Sequence, residues 1–327
     1  MTIQKIGRRK KAFLQIRFFV GVLPTLGILF CMLLFLRDPT LGREAVLRGL
    51  RISALNVLPS VFPFLVFSDL LISGNALSKG FSKVLQRLFR LPAEGCTAIL
   101  LGWVCGFPVG ARCAATARKN GLLSADQAER AVAIACVPSP AFLIGGVGVG
   151  LFGDRSVGLF LYATAILSAT TVGVFSAFRG AKEHLKEDVF PTIPPLPDPF
   201  AVRLTNAVRN AAHAALYLCA YIVFFSAVGA AAEAVLSRFG APDFCKALVS
   251  CFLELSKGVT DAAALPNPPS ALLLCTAAVG WTGLSVHFQT LAACDGSGLR
   301  FGRYFFRKGL QALLCVVLTT VFLIFRR

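Results

Sequence analysis

The chain has 327 residues, of which 56% are hydrophobic and 15% are charged, and its mean hydropathy is +0.73. Soluble domains are typically about 45–50% apolar and about 25% charged, so this composition excludes a large soluble domain. The net charge of +17 does not indicate a nucleic-acid binder, because the basic residues lie between apolar runs. That arrangement is typical of loops that flank membrane helices.

Several stretches without Asp, Glu, Lys or Arg are long enough to cross a bilayer, which takes about 20 mostly apolar residues. They are residues 18–36, 52–68, 95–111, 131–153, 156–178, 210–232, 262–294 and 309–325. The first follows a basic run from Lys5 to Lys11 and is not followed by a small-residue cleavage site. We therefore expect an uncleaved first helix, with the N-terminus in the cytoplasm.

Proline and glycine interrupt several of these stretches. Pro59 and Pro63 interrupt the second stretch, and the motifs GFPVG (106–110), VPSP (137–140), ELSKG (254–258) and GLSVHFQ (283–289) interrupt later ones. Non-helical backbone in a bilayer is tolerated only where protein buries it or where it lines a cavity. Broken helices in matching positions of two halves point to the binding site of a transporter.

The order of these features repeats along the chain and divides it into four parts. These are an N-terminal cytoplasmic basic segment with the first helix (1–42), a first repeat (43–180), a Pro-rich cytoplasmic linker (181–199) and a second repeat (200–327). From a cytoplasmic N-terminus, a hairpin at 95–118 enters from inside and one near 244–265 enters from outside, so the halves are inverted. Most Lys and Arg then lie inside, among them Arg300, Arg303, Arg307 and Lys308. The residues that do not fit this topology are Arg37, Arg43, Arg48, Arg51, Arg326 and Arg327.

Four segments carry a resemblance to a known family. They are LPSVFPFLVFSDLL (58–71), the run from GFPVGARC to VPSPAF (106–142), FLELSKG (252–258) and GLSVHFQ (283–289). In this order, over roughly residues 43–325, they resemble the YlbJ family of sporulation integral membrane proteins. The resemblance implies two copies of a nucleoside-recognition Gate domain, which is related to concentrative nucleoside transporters with inverted repeats and re-entrant hairpins. It also implies movement of dipicolinic acid from the mother cell across the outer forespore membrane. The chain departs from the family pattern at Asp69, Val137 and Phe288, where Glu, Asn and Ala are usual.

The candidate substrate-binding residues lie at or just after the breaks. A dianionic substrate needs fixed positive charge, and broken helices add free N–H groups at their N-termini. The candidates are Pro108, Gly110, Arg112, Ser139, Lys257, Ser285, His287 and Gln289. Asp69 and Glu254 are candidates for gating or ion coupling, because a carboxylate inside a span is costly.

Each of these residues also has a structural interpretation. Arg112 fits a cytoplasmic anchor, Asp69 a helix end near the interface, and His287 a hydrogen bond between helices. Glu254 fits a structural ion pair with Lys257. The sequence leaves both interpretations open.

The predicted fold is an all-α polytopic membrane protein of two inverted repeats with broken or re-entrant helices. The predicted function is transport of a small anion, by resemblance dipicolinic acid, across the mother-cell or outer forespore membrane during sporulation. The expected partners are the lipid bilayer and that anion, with proton or ion coupling left open and with no cofactor, metal or nucleic acid. An enzyme is not expected, since no GxGD, HExxH or Ser/His dyad occurs at a helical spacing. A nucleoside or nucleobase transporter and a non-transporting structural protein of the spore envelope are the alternatives.

Overall fold

Two series of helices follow one another along the chain, and each contains helices that are broken near the middle. The computed structural model describes residues 22, 24–73, 82–179 and 198–325. The basic N-terminal run, His184 and most of the linker 181–199 lie outside these residues, so their predicted places stay predictions. The described residues form helices and contain no strand, which confirms the predicted all-α class.

The first series begins with α1 (Pro24–Arg37), which bends by 109° into the helix that follows it. The other helices are α2 (Pro39–Arg51), α3 (Leu58–Ser73), α4 (Ser82–Phe89), α5 (Ala93–Cys105), α6 (Val109–Lys119), α7 (Ala125–Ala135), α8 (Ala141–Phe152) and α9 (Arg155–Arg179). A π-helical stretch, Ile52–Val57, joins α2 to α3, and α3 continues through Pro63. The predicted interruption thus lies directly before Pro59, at the π-helical stretch, whereas the one predicted at Pro63 is wrong. The wider π turn takes up the change in hydrogen-bond register that a proline requires.

The second series repeats the order of a long helix, two broken pairs and a final long helix. Its members are α10 (Phe200–Arg238), α11 (Asp243–Leu253), α12 (Leu255–Ala263), α13 (Pro268–Trp281), α14 (Gly283–Ala293) and α15 (Phe301–Phe325). Among the described residues, four helices are long and apolar enough to cross a membrane, or up to six if each bent pair forms one span. The chain is thus a polytopic α-helical membrane protein.

Each of the four later breaks has a local cause in the sequence. Gly106 ends α5 with a φ of +81°, where an added Cβ would lie 2.9 Å from the backbone nitrogen of Ser139. Pro138 and Pro140 lack the N–H groups that would continue α7. Glu254 separates α11 from α12 with an extended backbone, and Gly283 follows α13 with a φ of +77°. Proline or glycine thus opens the helices at three of these breaks, whereas the break between α11 and α12 lies at Glu254.

The long helices of the two series pack antiparallel against each other. Near one end of the pair, a Cβ on Gly49 would lie 2.9 Å from the Cα of Val223, so only glycine allows this close approach. Near the other end, the amide of Asn210 donates to the carboxylate of Asp69 at 2.8 Å. Position 49 therefore lies beside position 223, and position 69 lies beside position 210.

The two series exchange contacts reciprocally. Helix α7 packs against α15, and its counterpart α13 packs against α9. In the same way α6 contacts α14, and α12 contacts α8. One apolar core accordingly joins α5, α6 and α7 to α15, while another joins α11, α12 and α13 to α9. Such an exchange is the contact pattern of two related repeats that pack face to face.

A buried lysine supplies a hydrogen-bond donor at the break between α7 and α8. Lys308 of α15 is fully buried, and its Nζ donates to the carbonyl of Cys136 at 2.8 Å and to Gln311 at 2.7 Å. Gln311 in turn donates to the carbonyl of Ala133 at 2.9 Å. These carbonyls belong to the end of α7, where the helix no longer supplies donors. Lys308 is therefore not an exposed charge of a cytoplasmic loop, because its side chain satisfies a helix end inside the protein.

Opposite charges join the starts of α7 and α15 at one end of the molecule. Asp126 pairs with Arg130 at 2.9 Å and with Arg303 at 3.1 Å. The backbone nitrogen of Arg300 donates to Glu129 at 2.8 Å. Two basic segments that the predicted topology assigns to the same side are therefore in contact.

Candidate functional site

All four helix breaks face one small cavity in the middle of the protein. Gly106 lines it from the break before α6, and Ser139 from the break before α8. Glu254 lines it from the break before α12, and Gln289 from α14. The cavity volume is about 30 Å³, which is room for a water molecule or two and not for an aromatic solute. The breaks that the sequence singled out thus converge on one enclosed space.

The long helices of both series form the walls of this cavity. Val57 and Val61 line it from the π-helical stretch and α3, and Leu218 and Ile222 line it from α10. These side chains are apolar, so the polar groups of the cavity come from the breaks. The cavity lies between the two series, where a relative movement of the series would change its shape.

Glu254 has a defined structural role at the cavity. Its carboxylate accepts hydrogen bonds from the backbone nitrogens of Ser256 at 3.0 Å and Lys257 at 2.6 Å. The side chain is the N-cap of α12 and the residue is only 2% exposed. A negative charge at a helix N-terminus is stabilised by the helix dipole. The N-terminus of α12 is therefore already capped by a carboxyl group of the protein itself.

The other helix starts at the cavity differ in how they are capped. The hydroxyl of Ser139 accepts from the backbone nitrogen of Phe142 at 3.2 Å and so caps α8. By contrast, Pro108 before α6 and Thr282 before α14 make no side-chain hydrogen bond to their helices. Of the four short helices that begin at the breaks, α6 and α14 therefore present N-termini without a side-chain cap.

Gln289 leaves a polar atom without a partner beside the cavity. Its Nε2 donates to the hydroxyl of Ser285 at 3.1 Å, and its buried Oε1 has no hydrogen-bond partner. Gln289 is 5% exposed and Ser285 is fully buried. A half-turn of the amide group exchanges its oxygen and its nitrogen, so Gln289 can present either an acceptor or a donor to a molecule in the cavity.

A larger cleft of about 590 Å³ opens next to this cavity. Leu218 and Gln289 line both spaces, so the cleft and the cavity adjoin at these two side chains. Among the residues that line the cleft are Pro108, Arg112, Asn210, His213, Tyr217, Tyr221 and Asp295. Its volume falls in the range of about 300–1,000 Å³ that is usual for small-molecule sites.

Arg112 contributes the positive charge of the cleft, and it is paired. Its Nη2 lies 3.1 Å from Oδ1 of Asp69, and the other oxygen of Asp69 accepts from Asn210. The side chains of Arg112 and Asp69 are 33% and 15% exposed. The ion pair joins α6 to α3, and its arginine faces the cleft.

Lys257 and Gly110 do not line the cavity or the cleft. Lys257 is buried, and its Nζ pairs with Glu233 at 3.2 Å, contacts Asp261 and donates to Ser250 at 3.0 Å. The predicted alternative, an ion pair between the side chains of Glu254 and Lys257, is replaced by a bond from the backbone of Lys257. A Cβ on Gly110 would lie 2.6 Å from that of Ala135, so this glycine allows close packing of α6 on α7.

His287 also lies away from both spaces. Its Nδ1 is 3.0 Å from the hydroxyl of Tyr304, and its ring packs edge-on against Trp281 at 4.4 Å. The residue is fully buried, and its Nε2 has no partner. These contacts are those of the predicted alternative, a hydrogen bond that joins two helices. The described residues contain no group of three or more His, Cys, Asp or Glu side chains that could hold a metal ion.

The residues of α10 in the cleft were not singled out from the sequence as site residues. His213, Tyr217 and Tyr221 recur every fourth residue, which places them along one face of the helix. Asn210 precedes His213 by three residues and continues this stripe. Such a row of polar and aromatic side chains in an otherwise apolar helix was the available signal.

A comparison with curated proteins finds the sporulation integral membrane protein YlbJ of Bacillus subtilis (strain 168). The two sequences are 26% identical over 324 residues, which cover 88% of this chain and 79% of the relative. No protein-family model and no solved structure matches the chain. The chain is thus an integral membrane protein that is similar, over most of its length, to a sporulation integral membrane protein.

Proposed function

We propose that the protein transports a small anionic metabolite across the membrane, and that dipicolinic acid is this metabolite during sporulation. One observation carries the proposal, namely that the breaks of both series line one cavity between the long helices. Broken helices that meet between two repeats are the usual construction of a transporter's binding site. The similarity to a sporulation integral membrane protein supports the setting.

The proposed mechanism is alternating access around this cavity. The two series are inverted repeats, and the end that carries Arg130, Arg300 and Arg303 faces the cytoplasm under the positive-inside tendency. The cleft then connects the cavity with one side, and the small volume of the cavity corresponds to a closed centre. The relation of the two repeats to Gate domains stays part of this proposal.

The candidate residues take different roles in this mechanism. Arg112, Ser139 and Gln289 contact the substrate, and Pro108 leaves the N-terminus of α6 open to it. Ser285 lines neither space and acts through its hydrogen bond with Gln289. Gly110, Lys257 and His287 act indirectly, by holding the helices that carry the contacts. Asp69 and Glu254 serve in gating or ion coupling, since both carboxylates lie beside the path.

A nucleoside or nucleobase transporter is the second candidate function. The neutral polar groups of Asn210, Tyr217, Tyr221 and Gln289 in the cleft favour it. Such a protein would not depend on the charge of Arg112. Competition by nucleosides against dipicolinate, measured as uptake into vesicles that contain the purified protein, separates the two candidates.

The first experiment is to measure dipicolinate in spores of the source bacterium that lack this protein, and in their mother cells. Normal synthesis in the mother cell with an empty spore core is the expected result. The wild-type chain should restore dipicolinate in the spore core, whereas an Arg112→Gln chain present at the same level in the membrane should not. This result would show that transport depends on Arg112. Normal dipicolinate in the core would reject this substrate and favour the nucleoside or structural alternatives.

A further inference from the structure

We infer that the cleft between α6, α10 and α14 is a binding site for a flat aromatic carboxylate, and that Asp69 occupies the place of that carboxylate on Arg112. The inference deepens the proposed function and rests on it for the choice of dipicolinate as a probe. It adds a location, a set of aromatic contacts and a competing group within the protein.

The aromatic part of the ligand follows from the stripe on α10. His213, Tyr217 and Tyr221 present rings at intervals of four residues, or about 6 Å along the helix axis, and all three line the cleft. Tyr217 is 64% exposed, so its ring is accessible from the open side. Rings of this kind stack or pack edge-on with another flat ring. A planar solute fits such a row better than a branched or flexible one.

The carboxylate part follows from Arg112, which lines the same cleft from α6. A guanidinium group offers paired N–H donors that match the two oxygens of a carboxylate. In this structure one such carboxylate, that of Asp69, already lies 3.1 Å away. A ligand carboxylate that replaces Asp69 exchanges one anion for another, so the charge at Arg112 stays compensated. Asp69 keeps its hydrogen bond from Asn210 when this exchange occurs.

An unpartnered polar atom at the inner end of the cleft is independent evidence for a ligand. The Oε1 atom of Gln289 is buried without a hydrogen bond, at the point where the cleft meets the cavity. Leaving such an atom unsatisfied costs about 1–3 kcal/mol, which a bound polar group would recover. With its amide reversed, Gln289 offers an N–H to a second carboxylate or to a ring substituent.

The remaining charges near the cleft are of both signs. Asp295 lines it and is exposed, and it acts against an anion. Lys119 lies next to the following residue, since its Nζ would be 3.5 Å from a Cβ on Gly296. The Asp69 carboxylate is thus the main competitor at Arg112, and its removal is the direct test.

The test uses the full chain purified in lipid nanodiscs and isothermal titration calorimetry. The probes are dipicolinate, isophthalate with the same spacing of two carboxylates, and the uncharged pyridine-2,6-dicarboxamide. We expect Asp69→Asn to bind dipicolinate about five-fold more tightly, because the ligand no longer has to break the ion pair between Asp69 and Arg112. A partly exposed ion pair contributes about 1 kcal/mol or less. Arg112→Gln is expected to bind it about ten-fold or more weakly. Binding of the diamide should not respond to Asp69→Asn.

The matched control is Asp243→Asn, which makes the same change in a surface ion pair with Lys246 and should leave the affinity unchanged. A gain in affinity cannot result from misfolding, so the Asp69→Asn arm remains decisive if Arg112→Gln is unstable. Unchanged or weaker dicarboxylate binding by a folded Asp69→Asn protein would overturn the inference. An equal gain for the diamide would also overturn it.

The outcomes for this site and for the proposed function are separable. If both dicarboxylates bind as expected while spores without the protein contain normal dipicolinate, the assignment of the cleft is supported and the proposed substrate is wrong. If those spores lack dipicolinate while neither probe responds to Asp69→Asn, transport stands and this assignment of the cleft is wrong.

Discussion

Lys257 on α12 pairs with Glu233 on α10 across 3.2 Å, and thereby joins a short helix to the long helix of its own series. Arg112 on α6 and Asp69 on α3 make the same kind of connection in the first series. Along α10, Glu233 follows Asn210, the partner of Asp69, by a rise of about 34 Å. Leu218 of the cavity wall lies between them, so the two ion pairs stand on opposite sides of the cavity.

The ion pair of Lys257 is expected to stabilise the second series. Replacement of Lys257 by Met leaves the carboxylates of Glu233 and Asp261 without their shared cation inside the protein. We expect a loss of about 2 kcal/mol, below the usual 3–5 kcal/mol for a broken buried pair because both carboxylates are partly exposed. Thermal unfolding in detergent measures the effect. Asp243→Asn, which removes an exposed pair, is the control, and an equal melting temperature for Lys257→Met would refute the prediction.

Lys308 is expected to be essential for the break between α7 and α8. The substitution Lys308→Met keeps the length of the side chain and leaves the carbonyl of Cys136 without this donor. The expected cost is about 1–3 kcal/mol, which is typical for an unsatisfied buried acceptor. Arg303→Met, at a side chain that is 68% exposed, serves as the comparison. The prediction fails if both variants unfold at the same temperature in detergent.

Glu254 allows a structural role and a coupling role to be separated. Glu254→Ala removes the cap of α12 and is expected to cost about 1 kcal/mol of stability. Glu254→Gln keeps an oxygen acceptor for Ser256 and Lys257 but removes the charge. If the carboxylate couples an ion, the Gln protein should be stable and impaired in transport. A stable Gln protein with wild-type uptake in vesicles would leave Glu254 with the capping role alone.

The break before α6 is expected to require a glycine at position 106 for two reasons. Its φ is +81°, and an added Cβ would lie 2.9 Å from the nitrogen of Ser139. Gly121 has a similar φ of +75° with nothing within 4 Å of the corresponding Cβ. The strain of a positive φ costs about 1 kcal/mol or more at either position. Gly106→Ala should therefore lower the unfolding temperature more than Gly121→Ala, and equal shifts would exclude a crowding effect.

The helix breaks could be predicted from the sequence because proline and glycine act locally. Pro138, Pro140 and Gly106 lack an N–H donor or a Cβ, and the consequence for the helix does not depend on distant residues. Pro63 is the exception, since α3 continues through it after the π-helical stretch.

The contacts of the site could not be predicted in the same way. Arg112 and Asp69 are 43 residues apart, and Lys308 reaches a carbonyl 172 residues away. The sequence shows which residues are charged, but helix packing determines which group each charge contacts. For this reason the sequence indicated Lys257 as a substrate residue, whereas the fold uses it to hold α10 and α12 together.

The cap that Glu254 forms on α12 makes the two ends of the cavity electrically unlike. The helix start in the second series is capped by the carboxyl group of Glu254, whereas α6 in the first series starts without a side-chain cap. A small anion between them is therefore attracted toward the uncapped start of α6 more than toward the capped start of α12. The two series resemble each other in their order of helices, yet the field between them is polar and gives a passing anion a preferred orientation.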